Sequence, residues 1–410
     1  MPENTRRLAG IAGHAQPRAF ALVAACCRRP MDAEAAAALR DVAAAGVDWP
    51  AVLGLARRHR VEALVHEAST TAGIDVPPPA AARLAGRSRH IARRNLAMAA
   101  EIVRIQRAFD AAGIPLLLLK GVALAQRAYG SFTIKHNRDI DIYVPRECAL
   151  AVMQRLEAEG YALAEPMVQL NEAQRRMLIV YAREAVLVHR VTRLSVELHW
   201  QFTDNPLLLD GLGALPPAQE VALFPGSVVR ILARDDLFAY LCVHGASHSW
   251  SRLKWLSDLN ALVASESDAE LVRLYRHARA RGAGLCAGQA LLLCRDLFAR
   301  TLPVALDDEL MRSGRVRRLV RIAWLALRAP EAGTSFAGKA RFFFTSFLLG
   351  EDFAYVAAQC RIVSVGLADV IRCPLPRRWH FLYLLLRVPS WLWRYGKAPA
   401  ARPPLPKRPS

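Results

Sequence analysis

Residues 115–121 read PLLLLKG, and residues 139–144 read DIDIYV. The first stretch is a short apolar run that meets a turn, which is typical of a buried strand. The second alternates polar and apolar residues at the period of a strand. Residues 122–129, between them, have the pattern of a helix. The order strand, helix, strand predicts the beginning of an α/β sheet, with the pair Lys120-Gly121 in its first turn.

Two further alternating runs follow at residues 184–189 and 194–199, separated by a short turn. This spacing predicts a β-hairpin. Pro145 is expected to begin a helix that Gly160 ends, because proline fits the first turn of a helix and glycine fits its end. These elements extend the predicted α/β core to residue 205.

Helical patterns lie on both sides of this core. The predicted fold class is therefore α+β, with a small mixed sheet flanked by N- and C-terminal helical regions. The predicted organisation is a loose N-terminus, a helical N-terminal region, the α/β core, a helical domain, a basic and aromatic helical C-terminal region and a disordered tail, at residues 1–18, 19–112, 113–205, 206–310, 311–397 and 398–410.

The chain has 410 residues, of which 53% are hydrophobic and 22% are charged, and this composition excludes an intrinsically disordered protein. The formal net charge is +19. The excess is concentrated in residues 311–410, which hold 18 Lys and Arg residues but 4 Asp and Glu residues. Such asymmetry indicates an anionic partner for this region, which nucleic acid, anionic lipid or phosphates would all satisfy.

The eight cysteines form no CxxC pair, which is typical of a reduced, cytoplasmic chain. Uncharged runs stay shorter than the roughly 18 residues that a transmembrane helix needs. Residues 377–395 carry basic and aromatic side chains at both ends of an apolar segment. This pattern is consistent with peripheral contact with an anionic membrane, at its inner face, or with a helix packed on the core. Nucleic acid is the less favoured partner, because no RNP-like signature occurs.

Asp139 and Asp141 are two residues apart on a predicted strand, so both carboxylates leave the same face. Two carboxylates this close repel each other unless a cation lies between them, and Mg²⁺ prefers such oxygen ligands. Glu197 and His199 share a face of another predicted strand. If the two strands are neighbours, Glu197 is a third carboxylate, and three carboxylates can hold two metal ions. The alternatives are a solvated strand face and a surface Glu197 paired with an arginine.

Lys120-Gly121 ends the first strand and begins a helix. Glycine permits close approach of the backbone, and the amides at a helix N-terminus attract phosphate. Lys120 would add a positive charge for the β- and γ-phosphates of a nucleotide. The alternative is a turn glycine beside a lysine whose stem covers apolar surface.

The stretches LLLLKGVALAQRAYG, RDIDIYV and VELHW, together with HSWSRLKWLSDL at residues 248–259, resemble a family of bacterial proteins, the uncharacterised nucleotidyltransferases. Their fold is the minimal one of the polymerase-β type, and the resemblance covers residues 49 to about 262. It implies an NTP substrate such as ATP and a Mg²⁺ cofactor, with Mn²⁺ as the other candidate. It also implies that Asp139, Asp141 and Glu197 are the metal ligands and catalytic residues, and that Lys120 and Gly121 form the phosphate-side turn.

The sequence departs from the wider superfamily at this turn, where Lys120-Gly121 replaces the usual Gly-Ser pair. Relatives also carry an arginine about four residues before the first aspartate. Lys135 occupies that place here, and Arg138 directly precedes Asp139. Lys135 and Arg138 are therefore both candidates for the basic triphosphate contact.

Four aromatic residues lie close together in residues 244–255. His244 and His248 are four residues apart, a spacing that zinc sites use, but without an evident third ligand we favour a structural role or hydrogen bonding to substrate. Trp250 and Trp255 are expected to pack in the core, with stacking on a base as the alternative.

The predicted function is Mg-dependent transfer of a nucleoside monophosphate from an NTP to an acceptor hydroxyl, with release of pyrophosphate. Arg252 and Lys254 are expected to contact the nucleotide, with ordinary surface charge as the alternative. The acceptor is a small molecule, a glycan or a protein. One alternative function is a DxD glycosyltransferase that uses a nucleotide sugar. The other is a non-catalytic, nucleotide-binding and membrane-associated assembly factor.

Overall fold

A computed structural model of the chain describes residues 16–164, 167, 170–329, 336–366, 370, 379, 382 and 383. The predictions for residues 1–15, for the tail at 398–410 and for nearly all of the proposed membrane segment at 377–395 concern residues outside this set. The described end of the predicted loose N-terminus, residues 16–18, is helical. That part of the prediction is wrong.

Among the described residues, five helices precede the sheet. They are α1 (Gln16–Ala25), α2 (Ala33–Ala44), α3 (Trp49–His59), α4 (Glu62–Thr71) and α5 (Pro78–Ala111). Local sequence explains their ends: the Asp32 side chain accepts a hydrogen bond from the Ala35 amide at the start of α2, which satisfies one of the free amides of the first turn. The prolines at 77–79 begin α5, and Gly113, with φ +66°, follows its end.

The described strands form one sheet of seven in the order β3-β4-β5-β2-β1-β7-β6. Their bounds are β1 (Leu117–Leu118), β2 (Ile140–Tyr143), β3 (Tyr161–Leu163), β4 (Glu184–His189), β5 (Ser195–His199), β6 (Ala218–Phe224) and β7 (Ser227–Leu232). The pairs β2–β5 and β1–β7 are parallel, and the other neighbours are antiparallel. The mixed sheet and the α+β fold class agree with the prediction, as does the hairpin of β4 and β5.

The prediction that the chain is helical throughout after Pro206 is wrong for residues 218–232. These residues form the hairpin β6–β7, and β7 pairs with β1 through Leu118 and Ile231. Their side chains alternate between buried and exposed positions, as in β7, where Val229 and Ile231 are buried. The hairpin therefore covers an edge of β1 that would otherwise offer unpaired backbone groups.

Three described helices and one described 3₁₀ turn connect the strands of the core. They are α6 (Val122–Tyr129), the 3₁₀ turn (Arg146–Cys148), α7 (Ala149–Ala158) and α8 (Glu172–Tyr181). Helix α6 begins directly after Gly121, whose φ of +76° is in the region that favours glycine. The turn between β1 and α6 is thus set by the residue pair that the sequence analysis singled out.

In the part of the chain after the sheet that the structure describes, eight helices follow. They are α9 (Arg234–Ser247), α10 (Leu253–Leu262), α11 (Asp268–Ala280), α12 (Gly284–Phe298), α13 (Val304–Arg312), α14 (Gly314–Arg328), α15 (Phe336–Ser346) and α16 (Phe353–Ser364). One buried apolar cluster runs from α1 through the sheet to α16. Among the residues described, no helix combines the length and the apolar composition that a membrane crossing requires.

Candidate active site

One pocket of about 210 Å³ collects most of the predicted site residues. It lies beside the β1–α6 turn, between the start of β2, strand β5 and the helices α9 and α10. All of the predicted residues except Arg252 line it, namely Lys120, Gly121, Lys135, Arg138, Asp139, Asp141, Glu197 and Lys254. The Arg252 guanidinium donates instead to the carbonyl of Arg58 at the end of α3. Its predicted contact with a nucleotide remains a prediction.

The two central carboxylates come from neighbouring parallel strands. Asp141 on β2 is the Cα partner of Glu197 on β5, so their side chains leave the same face of the sheet. Ile140 and Ile142, on either side of Asp141, point away into the core and are both buried. Asp139 lies just before β2 and borders the same pocket. The alternation of acidic and apolar residues in the sequence therefore places these carboxylates at the same pocket.

His199 stands beside this carboxylate pair, two residues after Glu197. Its Nε2 atom lies 3.5 Å from Asp141 Oδ1 and 3.8 Å from Glu197 Oε2. Its Nδ1 atom lies 3.1 Å from the carboxylate of Glu184, which is the Cα partner of His199 in the β4–β5 hairpin. Burial alone would lower the pKa of His199, but Asp141 and Glu184 outweigh it and raise that pKa. His199 therefore lies inside the acidic cluster.

Lys120 also reaches the carboxylates. Its Nζ atom lies 2.6 Å from Asp141 Oδ1 and 3.8 Å from Glu197 Oε2. Burial would lower the pKa of Lys120, but the charge of Asp141 raises it above its ordinary value. Burial alone would raise the pKa of Asp141, but Lys120 together with His199 holds that pKa well below its usual range. The Lys120–Asp141 pair is therefore ionised, and Asp141 is only 3% exposed.

Glu197 titrates in the opposite direction. Burial, followed by the neighbouring charge of Asp141, raises its pKa to about 8. Two carboxylates on adjacent strands cannot both ionise cheaply, so the more exposed one keeps its proton at neutral pH. The two carboxylates therefore carry close to one negative charge between them at neutral pH.

The donor set fits a divalent metal ion. Asp141, Glu197 and His199 each offer one ligand atom, and these atoms all lie within 4.8 Å of one another. Asp141 Oδ1 and both ring nitrogens of His199 are buried and make no hydrogen bond of normal geometry with the described residues, although Lys120 Nζ and the Glu184 carboxylate lie at ion-pair distance from Asp141 and His199, respectively. Buried polar atoms without such bonds are costly unless another partner satisfies them. Asp139, the third predicted ligand, borders the pocket but is not one of these three residues.

The loop before β2 presents further positive charge. Lys135 is buried, and its Nζ atom lies 3.1 Å from Asp258 Oδ2 and donates to the Gly121 carbonyl at 3.5 Å. Asn95 on α5 anchors the loop, because its amide donates to the carbonyls of Phe132 and Lys135 at 2.6 Å each. Helix α5 therefore determines where the loop places its cations.

Lys254, at the start of α10, faces the pocket from the opposite side. Burial, followed by the charges of Lys135 and Arg60, lowers its pKa to about 7. Arg60 also lines the pocket, and burial together with Arg252 and Arg138 lowers its pKa to about 10. Cations that depress one another's pKa values indicate a site suited to a polyanion.

An aromatic wall closes the side of the pocket formed by α9 and α10. His248 stacks on Trp255 with ring centroids 4.9 Å apart, and His244 meets His248 edge to face at 4.8 Å. Burial, followed by the charge of Lys120, lowers the pKa of His248 to about 3, so its ring is neutral. Trp250 is fully buried and donates to Gln289, as expected for a core residue, whereas Trp255 borders the pocket.

Four charged residues of this pocket were absent from the sequence prediction: Arg60, Arg183, Glu184 and Asp258. Hairpin register offered a signal for Glu184, because it pairs with His199 across the predicted turn. Arg183 directly precedes that strand. Arg60 carries no local signal, since it ends a helix far from the sheet in the sequence and reaches the pocket only through tertiary packing.

The sheet, the paired acids and the cation-lined pocket define an enzyme of the nucleotidyl-transfer class. A model of the uncharacterised nucleotidyltransferase family matches residues 45–299, and the chain belongs to that family. The matched residues include α3, at whose end Arg60 lies, as well as the sheet and α10. No functionally curated protein matches the chain. The expectation drawn from the sequence motifs is thereby confirmed at the level of family, fold and enzyme class.

Proposed function

We propose that the protein transfers a nucleoside monophosphate from an NTP to an acceptor hydroxyl and releases pyrophosphate, with Mg²⁺ as the cofactor. The observation that carries this proposal is the meeting of Asp141, Glu197 and His199 in a pocket bordered by Lys120, Lys135, Arg138 and Lys254. Nucleotidyl transfer needs both halves of this arrangement, because a divalent ion and several cations together offset the charge of a triphosphate.

Asp141, Glu197 and His199 would hold the metal ion, with Asp139 beside them as the further carboxylate predicted from the sequence. When bound, such an ion lowers the pKa of an attacking hydroxyl and offsets charge on the transferred phosphate. Glu184 lies against His199 Nδ1 and thereby orients the ring so that Nε2 faces the carboxylates. These side chains act by position and charge.

The basic residues would bind the phosphates. Gly121 allows close approach of the backbone at the start of α6. Lys135 and Arg138 approach from the loop before β2, and Lys254 approaches from α10. In the transfer, the acceptor oxygen bonds to the α-phosphorus, the bond to the bridging oxygen of pyrophosphate breaks and the hydroxyl proton leaves to solvent. The protein contributes mainly alignment and charge neutralisation.

The acceptor would bind between the sheet and the helices after Pro206, where His244, His248 and Trp255 form the aromatic wall. Neutral aromatic rings pack against a flat or apolar surface without adding charge. This wall leaves the acceptor class open among small molecules, glycans and proteins.

Incubation of the protein with each labelled NTP, Mg²⁺ and cell extract tests the proposal. Transfer of label to an acceptor fraction with release of pyrophosphate is expected. Asp141→Asn and Asp139→Asn should abolish the transfer, whereas Asp308→Asn, in an exposed surface pair, should not. Circular dichroism checks that each variant is folded. Unchanged transfer by Asp141→Asn would end the proposal, and release of a nucleoside diphosphate from a nucleotide sugar would favour glycosyl transfer.

A further inference from the structure

Lys120 contacts the same carboxylate oxygens that the proposed metal ion would use. Lys120 Nζ lies 2.6 Å from Asp141 Oδ1 and 3.8 Å from Glu197 Oε2. His199 Nε2 approaches the same two oxygens, at 3.5 Å and 3.8 Å. The ammonium group thus occupies the edge of the space that the three ligand atoms enclose.

A metal ion held by these atoms would lie close to a buried positive charge. Asp141 is 3% exposed and the Lys120 side chain is 18% exposed, so little water screens the repulsion between the two cations. The single negative charge of Asp141 cannot neutralise both the Lys120 ammonium and the metal ion. Metal binding therefore requires Lys120 to leave Asp141.

The lysine has a flexible stem that permits this movement, because four methylene groups allow its ammonium to change partners. No fixed anion other than the acidic cluster is within ion-pair distance of Lys120 Nζ among the described residues. Lys135, by contrast, is held by Asp258 at 3.1 Å. A phosphate group in the pocket would give Lys120 the alternative partner that the protein itself does not supply.

We propose that Lys120 is a positioning residue that couples metal binding to phosphate binding, by exchanging Asp141 for a phosphate when both ligands enter. This inference rests on the proposed function, since it takes the cluster to be a metal site. In the absence of phosphate, the metal must displace the ammonium, and its affinity is low. With phosphate present, the displaced lysine stabilises the complex, and by linkage each ligand strengthens the binding of the other.

Equilibrium dialysis at fixed free Mn²⁺ tests the coupling on the full chain, with tripolyphosphate as a probe that has no base. Wild type is expected to bind Mn²⁺ weakly alone and about ten-fold or more tightly with tripolyphosphate. Lys120→Met should bind Mn²⁺ alone at least about ten-fold more tightly than wild type and should gain little from tripolyphosphate. Equal Mn²⁺ affinity of wild type and Lys120→Met without phosphate would overturn the coupling.

Two further variants keep the test decisive. Lys120→Arg keeps the positive charge and should bind Mn²⁺ alone as weakly as wild type, which separates removal of charge from loss of fold if Lys120→Met is unstable. Lys254→Met removes another pocket lysine that is not within ion-pair distance of Asp141. It should weaken tripolyphosphate binding and leave the affinity for Mn²⁺ alone unchanged. A gain in Mn²⁺ affinity with Lys254→Met as large as with Lys120→Met would contradict a role specific to Lys120.

The coupling and the proposed function can fail separately. Tighter Mn²⁺ binding by Lys120→Met in a protein that turns over no NTP would leave the coupling standing and remove the function. NTP turnover that depends on Asp141, together with unchanged Mn²⁺ affinity in Lys120→Met, would do the reverse.

Discussion

Asp141 and Glu197 are Cα partners across the parallel strands β2 and β5, and they carry different charges. The pKa of Asp141 is held low by Lys120 and His199 against the effect of burial. Burial and the charge of Asp141 raise the pKa of Glu197 to about 8. At neutral pH the pair therefore holds close to a single negative charge. A cation that binds both carboxylates must release the proton of Glu197.

Metal binding is accordingly expected to depend on pH through Glu197. Below about pH 8 the ion must displace the proton of Glu197, and His199, whose pKa is also raised, must lose its proton to bind the metal, so the affinity for Mn²⁺ should rise at least about ten-fold per pH unit from about pH 6 to about pH 8. Dialysis over this range measures it. Glu197→Gln should bind Mn²⁺ more weakly and with a slope that is smaller by about one proton, and a slope equal to that of wild type would assign this proton to another group.

The same shift affects stability of the metal-free protein with the opposite sign. Glu197 has a pKa of about 8 when folded and an ordinary value of 4.5. Between these values the folded chain holds a proton that the unfolded chain releases. Its contribution to the free energy of unfolding is therefore complete below 4.5 and is lost as the pH rises through about 8. Urea unfolding of wild type and Glu197→Gln should differ in this window.

Phosphate binding is expected to depend on pH through Lys254, whose pKa of about 7 reflects burial and the nearby Lys135 and Arg60. Above that pH the amine of Lys254 is largely neutral when no phosphate is bound, and a bound phosphate favours its charged form. Binding of tripolyphosphate without metal should then take up a proton at about pH 8 and weaken as the pH rises. Calorimetry in two buffers with different ionisation enthalpies measures the uptake.

Lys254→Arg is the matched control for this prediction, because a guanidinium stays charged over the whole range. It should bind tripolyphosphate without the proton uptake that Lys254 contributes. The prediction is wrong if wild type and Lys254→Arg take up the same number of protons.

The loop before β2 is expected to lose its position in Asn95→Ala. Asn95 is fully buried and donates to the carbonyls of Phe132 and Lys135. Its removal leaves buried carbonyls unpaired, at a cost of about 1–3 kcal/mol of unfolding free energy. KM for the NTP should rise because Lys135 is no longer held in place. Leu96→Ala, at a neighbouring residue that is 52% exposed, should leave KM unchanged, and an equal KM for wild type and Asn95→Ala would refute this role.

Packing between α9 and Trp250 predicts a strong effect at Gly245. A Cβ atom there would lie 2.2 Å from the Trp250 ring, which is fully buried. Gly245→Ala should therefore destabilise the protein by about 1–3 kcal/mol or more through overpacking. Gly54→Ala is the control, since Gly54 is a helical residue with open space around its Cβ position. Thermal unfolding should show a lower Tm for the first and an equal or higher Tm for the second.

The sequence predicted the acidic centre because strand alternation is a local property. Asp139, Asp141 and Glu197 sit in short runs whose apolar neighbours identify the buried face, and the conditional pairing of their strands is observed. The helical prediction fails at residues 218–232, where the pair Pro225-Gly226 forms the turn of a hairpin inside a region of helical pattern. Buried and exposed residues do alternate along β7, but its position in the sheet depends on its pairing with β1, which is a tertiary contact.

The roles of individual site residues depend more on tertiary contacts. His199 shares the face of Glu197, as its spacing predicts, yet its approach to Asp141 requires a neighbouring strand. Arg60 reaches the pocket from the end of α3 and Arg252 turns away toward the Arg58 carbonyl. The spacing of basic residues in the sequence does not distinguish an arginine that reaches the pocket from one that does not. The direction of such a long side chain depends on how its helix packs in the folded protein.

The β1–β7 pairing sets a limit on how the protein can be divided. A fragment cut at residue 205 would keep β1 but lose β7, exposing the backbone edge that Ile231 now covers. Such bare edges recruit strands from other molecules, so the fragment should precipitate where the intact chain does not. The boundaries of any fragment of this enzyme should therefore be chosen so that all strands of the sheet are kept, and not from the positions of the acidic residues alone.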